Sequence, residues 1–350
     1  MKPTDTAAGG RRMVDGWPVA DEPLPADPML RLAYYARLAP SSHNSQPWKF
    51  LVGQGEIDLL VDETRWLRVA DHDRRELFVS LGCALESMRI AADYAGFGSR
   101  VEYFPVAGSD TLVARLQIEF AGPKREFAAA SLLEHAVTRR TSHKPFDPAL
   151  AVGEDARKSL YACYDEAGVS LHFLAEDRRA MQWLAELERE ADRALFADPA
   201  YREELAAWIG EGLLGTPWLI SKIAQFAVGH LPVAERVAQD DADRVSSAPL
   251  VAVLSTRNDD PEDRVRAGAA YMRIALMAES RGLRVQPVSQ ALEVEATRTG
   301  VARLFDLRER CVQHLFRIGH AEAERGPHRR RPLKDLVIRE TGPAIGTGNG

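Results

Sequence analysis

The chain has 350 residues, 45% hydrophobic and 27% charged, with a formal net charge of −6 at pH 7 and a pI near 5.9. That length carries one large or two modest domains with ample core, and the acidic balance excludes a general binder of nucleic acid or anionic membrane. No apolar run approaches membrane-span length, Arg11-Arg12 is not followed by the apolar core of a secretory signal, and Cys83, Cys163 and Cys311 are too few and dispersed for a disulfide framework or zinc site, so the expected address is cytoplasmic.

Residues 1–25 are rich in Gly, Pro and Asp and read as a flexible N-terminal arm. Asp27-Pro28 is an N-cap followed by proline at the first helical position, and Leu30, Ala33, Tyr34 and Leu38 share one helical face. This helix stops before Pro40, because the residue preceding a proline is pushed out of the helical region. Pro40-Ser41-Ser42-His43-Asn44-Ser45-Gln46-Pro47-Trp48 follows, two prolines bracketing small and amide-bearing residues that can bond the backbone or a ligand from a stiff turn. Residues 50–52 and 57–61, split by Gly53 and Gly55, predict a strand hairpin. Residues 77–95 are apolar on nearly every face, which predicts a helix buried on more than one side and capped by Gly96. Strands are expected at 101–104 and 112–120. The central helix has an echo: Gly82 to Gly96 and Gly268 to Gly282 each span fourteen positions (96 − 82 and 282 − 268), with Ala84 matching Ala270 and Ala92 matching Ala278. Such an echo is expected of a duplicated fold.

The second unit is expected to open with a helix within 127–146. Helices at 155–166 and 176–194 surround a strand at 170–174. Residues 197–246 fit neither copy; Trp208, Leu213, Leu214, Trp218, Ile220, Ile223, Phe226 and Val228 make an amphipathic helical insertion, read as a lid or as a peripheral helical subdomain. A strand at 250–254, the echo helix, a strand near 285, a helix at 294–306 and a strand at 315–318 complete the unit. The Gly-rich residues 341–350 are expected to be disordered.

Several runs carry chemistry. Arg139-Arg140-Thr141-Ser142-His143-Lys144-Pro145-Phe146 puts guanidinium forks, a hydroxyl and a point charge within a few positions, a set that suits a phosphate monoester as well as it suits a solvated basic turn. There is no P-loop, no H-E-x-x-H and no nucleophile elbow, and Gly96-Phe97-Gly98 lacks the third glycine and the preceding strand of a dinucleotide fingerprint. His43 and His143 lie inside the two polar motifs, where they serve as proton donors or as solvated turn residues.

The segment 40–48 closely resembles the P-S-S-x-N-S-Q-P-W loop of the nitroreductase family, FMN-dependent enzymes in which this loop packs on the flavin ring from the neighbouring subunit. Arg140, Ser142, Lys144 and Phe146 resemble the family's R-x-S-x-K-x-F motif, and residues 282–289 and 317–333 resemble its later glycine–proline and terminal basic motifs. Each motif occurs once, on different halves, which most resembles the Acg-type twin-repeat branch.

The resemblance implies an α+β, nitroreductase-like fold of two fused repeats, an internal pseudo-dimer with antiparallel-type sheets, central buried helices and a helical lid insertion. The repeats would span 26–125 and 126–340, the lid 197–246. It implies FMN bound by Pro40, Ser41, Ser42 and Asn44 on the ring, by Arg140, Ser142 and Lys144, by Pro287, Val288, Ser289 and Gln290 near N5, and by Arg330 and Arg331 at the phosphate. Ser289-Gln290 stand where the family often has Glu-Gly, which leaves a backbone contact possible and changes the substrate-facing side chain. The implied activity is hydride transfer through flavin N5 from NADH or NADPH to a nitroaromatic, quinone or enone-like acceptor, by a monomer or weak homo-oligomer. The alternative is an FMN-sequestering storage protein whose lid blocks nicotinamide access.

Overall fold

The computed structural model describes residues 12–120, 129–175, 177–211, 228, 234–324 and 329–339. It is α+β, built on two sheets and two long central helices. The chain opens with a hairpin, β1 (Met13–Val14) and β2 (Trp17–Pro18), turned at Asp15 and Gly16 with positive φ. Expected as part of a loose arm, residues 12–25 are instead docked. Tyr35 donates to the Pro18 carbonyl at 2.6 Å, Tyr34 accepts from the Ala20 N–H at 2.9 Å, and the buried Arg37 pairs with Asp21 at 2.5 Å. Two tyrosines and one arginine, all from α1 (Pro28–Ala36) or its C-terminal cap, thus tie down a segment whose composition alone reads as loose.

The first sheet comes from β3 (Trp48–Val52), β4 (Glu56–Val61), β5 (Gly98–Tyr103) and β6 (Leu112–Glu119), with the central helix α2 (Arg75–Ala95) between β4 and β5. The Asp71 carboxylate receives the N–H groups of Glu76 and Leu77, satisfying donors at the start of α2, and Gly96 at φ 78° ends it.

The second unit holds α3 (Leu133–Ala136), α4 (Glu154–Ala162), β7 (Ser170–Ala175), α5 (Arg178–Ala197), α6 (Pro199–Gly210), α7 (Ala234–Ser246) and β8 (Leu250–Thr256). It continues with α8 (Pro261–Ser280), β9 (Arg284–Pro287), α9 (Gln290–Glu293), α10 (Glu295–Leu304) and β10 (Cys311–Gly319). Its sheet, ordered β7-β8-β10-β9, is antiparallel throughout. The helix expected within 127–146 is short: a 3-10 stretch, Ala129–Leu132, runs into α3 and ends at Ala136. From Arg139 the chain runs extended, with Thr141 bridged to Val285 and the Ser142 N–H on the Val285 carbonyl at 3.1 Å. Pairing to the edge of β9 outcompetes helix there.

Finally α11 (Leu333–Leu336) leads to β11 (Val337–Arg339), which returns to the first sheet and pairs parallel with β3, giving the order β11-β3-β4-β6-β5. The insertion reaches the same unit. Tyr201, Trp208 and Phe196 pack on Leu67 and Ala70, and Glu204 accepts from the Ala70 N–H at 2.9 Å. Its centre, 212–227 and 229–233, lies outside the described residues, as do 1–11 and the tail 341–350.

The two central helices cross at glycines. A Cβ on Gly82 would stand 2.0 Å from the Val265 carbonyl oxygen, and one on Gly268 would stand 2.0 Å from that of Val79. Both pairs are related by the same offset, 186 positions (268 − 82 and 265 − 79), as two copies of one helix crossing on a local twofold require.

Candidate functional site

Between the units lies a cavity of about 590 Å³, within the size range of small-molecule and cofactor sites. Its first wall is the loop after α1. His43, Asn44 and Gln46 all have positive φ, at 48°, 54° and 53°, a conformation that non-glycine residues rarely adopt and that persists only where surroundings over-determine it. Here they do. Gln46 donates its N–H to Ser41 Oγ at 2.9 Å and its side-chain oxygen accepts from the Arg331 N–H at 2.8 Å, while Asn44 Nδ2 donates to the Arg329 carbonyl at 2.9 Å. Pro40, Ser41, Ser42 and Asn44 consequently face the cavity.

The opposite wall is the end of β9 and the start of α9, where Pro287, Val288, Ser289 and Gln290 face the same space. Val288 is pinned by its N–H on the Leu315 carbonyl at 2.8 Å.

The third side is basic. Arg140 and Arg330 line it together with Arg139, Arg317 and Arg244. Burial first, then the neighbouring Arg139 charge, pushes Arg140 down to about 10, and burial followed by Arg139, Arg140 and Arg37 pushes Arg330 down to about 9. Burial also brings Arg317 down to about 10, with Arg244 adding to it. Cations gathered this way in a desolvated place favour an anion among them. The Arg330 Nε and Arg317 Nη1 atoms are buried with no hydrogen-bond partner among the described residues.

Three of the sequence-predicted residues are off the walls. Ser142 is fully buried behind β9, its Oγ without a partner. Lys144 turns outward to Glu322 at 3.3 Å, and only its backbone carbonyl bears on the site, by receiving Arg317 Nη2 at 2.7 Å. Arg331 is spent on structure, bonded to the Gln46 carbonyl and to Asp62, each at 2.9 Å.

Other lining residues are not singled out by any motif: Glu76, Glu188, Glu293, Tyr271 and His314. One signal for them exists. Glu188 sits among Leu184, Leu187 and Ala191 on the buried face of α5, and Gln313, His314 and Arg317 interrupt the apolar residues of β10. Of the motif histidines, both line the cavity, and burial lowers both; His43 falls to about 4 and is therefore neutral near pH 7. Among the described residues no His, Cys, Asp and Glu group is disposed to hold a metal ion, and no helix is long and apolar enough to cross a membrane.

No protein-family model matches the chain. Relatives do. "Uncharacterized protein Rv3127" of Mycobacterium tuberculosis is 28% identical over 321 residues, covering 87% of this chain and 91% of that protein. "Putative NAD(P)H nitroreductase acg" of the same organism is 27% identical over 326 residues, covering 85% and 91%. "Probable NAD(P)H nitroreductase PigM" of Serratia is 23% identical over 303 residues, covering 76% and 81%. Among solved structures, the FMN-dependent nitroreductase NfnB of Mycobacterium smegmatis in complex with NADPH has 18% identity and a TM-score of 0.40 over 60% of this chain and 98% of that one. A nitroreductase from Desulfovibrio desulfuricans in complex with FMN has 16% identity and a TM-score of 0.38 over 61% and 98%. With the loop at 40–48 and the basic run at 139–146 each facing one cavity from a different half, and with this likeness over 85% of its length, the chain is a relative of the acg-type NAD(P)H nitroreductase proteins.

Proposed function

We propose that the chain is an FMN-dependent oxidoreductase that takes reducing equivalents from NADH or NADPH and passes them to a nitroaromatic, quinone or enone-like acceptor. The observation that carries this reading is the convergence of the loop at 40–44 with Arg140 and Arg330 on one cavity. Asn44 and Arg140 come from opposite halves of the chain, and Arg330 bonds Asn44 Oδ1 directly. The fit to FMN is tested by the basic side itself, since guanidinium groups that depress one another suit a phosphate dianion.

Arg140 and Arg330 hold the phosphate in this reading, with Arg139 beside them. Pro40, Ser41, Ser42 and Asn44 lie against one part of the ring system, and residues 287–290 against another. Ser142 acts from behind, by holding β9 in place, and Lys144 by receiving Arg317 on its carbonyl. Bound flavin supplies the two-electron transfer between nicotinamide and acceptor. The chain supplies binding, orientation and a walled cavity. The domain organisation follows the same logic: units 26–125 and 126–340 each contribute one half of one site.

The experiment is to purify the chain, record its flavin spectrum, and titrate FMN into wild type and Arg140→Ala. Losing one charge-assisted partner costs roughly 1.5–3 kcal/mol, so the variant should bind FMN about ten- to hundredfold more weakly. Unchanged affinity removes Arg140 from the site. Anaerobic bleaching of the bound flavin by NADPH or NADH is expected of the oxidoreductase; a flavin that neither donor reduces makes the chain an FMN store.

A further inference from the structure

Three carboxyl groups from three elements line the cavity alongside the arginines: Glu76 near the start of α2, Glu188 on α5 and Glu293 at the end of α9. Glu76 is 6% exposed and Glu188 1%. Burial pushes the Glu188 and Glu293 carboxyls well up, and nearby acids add to it, Asp192 for the first and Glu76 for the second. Among the described residues none of the three pairs with Lys or Arg. Asp241 also faces the cavity but holds Arg244 on its own helix.

An independent group points into the same space. His314 on β10 is 2% exposed and lines the cavity, yet neither of its ring nitrogens has a hydrogen-bond partner. Its Nδ1 stands 3.7 Å from Glu76 Oε1, which also lacks a partner. Tyr271 of α8 completes the wall, its ring centroid 4.3 Å from that of His314.

We infer that this cluster is a binding subsite for an organic cation, a pyridinium, quaternary ammonium or protonated aromatic amine, held by Glu76, Glu188 and Glu293 against Tyr271 and His314. Like charges buried together must take up protons or a counter-ion. An aromatic ring beside carboxylates recognises a soft organic cation through both its face and its neighbours' charge. The two ring nitrogens of His314, with no hydrogen-bond partner among the described residues, offer polar atoms to the same ligand. The inference rests on the FMN reading only for what the arginines hold, and it names the charge class of the substrate that enters beside the cofactor.

The test is calorimetric titration of the FMN-free and FMN-loaded chain with 1-methylnicotinamide, a permanent pyridinium cation, and with nicotinamide, its neutral counterpart. The cation should bind once per chain, about tenfold or more tighter than nicotinamide, in both forms. Glu293→Gln should lose about tenfold for the cation and leave nicotinamide unchanged. Glu188→Gln should do the same, its amide oxygen keeping the bond from the Ala291 N–H. If that buried variant does not fold, Glu293→Gln decides alone. Equal affinity for the two probes, or a cation preference that survives Glu293→Gln, overturns the subsite. Arg140→Ala separates the two readings. Cation preference in a chain that never binds FMN keeps the subsite and sinks the flavin; FMN binding without cation preference does the reverse.

Discussion

Asp192 is fully buried on α5, and neither of its carboxylate oxygens has a hydrogen-bond partner. Burial, then the charge of Asp241, pushes it up to about 7 against the pull of Arg244. In the unfolded chain the same group titrates near 3.9. Its folded-state pKa is raised, so the stability it contributes is full below about pH 4 and is lost as pH climbs through about 7. Across that window the loss is on the order of 4 kcal/mol, from about three pKa units. Asp192→Asn keeps the shape and removes the titration. Melting curves at pH 5 and pH 7.5 should then show a smaller fall for the variant than for wild type, with the remaining slope left to Glu188, Asp241 and Glu293, which burial also raises. Equal slopes would mean that Asp192 is ionised in the folded chain. The strained loop makes a second point about single positions. Its contacts to Arg329 and Arg331 are what hold Asn44 and Gln46 in left-handed geometry, and those partners lie some 285 positions away.

The crossing of α2 and α8 is where the fold is least tolerant. At Gly268 an added methyl meets a backbone carbonyl, not a side chain that can swing aside. Gly268→Ala is therefore expected at the upper end of the ~1–3 kcal/mol range for overpacking, lowering Tm by roughly 4 °C in a chain of this length. Gly82→Ala should cost the same, since the two sites mirror one another. A thermal melt within about 1 °C of wild type would show that the helices can part without penalty. These helices were legible in the sequence because the first is apolar on nearly every face and the second repeats its glycines and alanines at matching places. The strands of both sheets apart from β11 were legible for the same kind of reason, their apolar runs being short and bounded by turns. What escaped was decided at a distance. Residues 12–25 read as loose, yet Tyr34, Tyr35 and Arg37 fix them. The run after Ala136 reads as helix, yet the β9 edge takes it. The ring loop and Arg140 could be picked out because their residue types are unusual in a row. The acidic cluster could not, because Glu76, Glu188 and Glu293 are far apart in sequence and only Glu188, among the apolar residues of α5, stands out at its own position.

Seen as one molecule, the pseudo-twofold has two equivalent positions beside the crossing, and they differ. Where Glu76, Ser80 and Cys83 face the cavity, the residues 186 positions on are Glu262, Arg266 and Ala269 (76 + 186, 80 + 186 and 83 + 186). Arg266 fills its side: it bonds Glu262 at 2.6 Å and Glu166 at 3.3 Å and lies 4.1 Å over the Tyr103 ring. Arg89 joins Glu166 at 2.5 Å and Glu86 at 2.8 Å, and Arg273 pairs with Glu86 as well. A buried network of this kind is costly to open. One FMN per chain is thus the expected stoichiometry, independent of protein concentration, measured as flavin absorbance against protein; a saturating ratio near two would show the second position open. The strand β11 adds a constraint on how such a molecule comes to exist. It closes the first sheet from the far end of the chain, just after Arg330 has reached Asn44. During synthesis the first unit emerges early but must wait, its sheet one strand short and its polar loop without its partners, until residues 329–339 have been made some 285 positions later. The nascent protein therefore has no half-built pocket to load: the site and the segment that carries Arg330 arrive together.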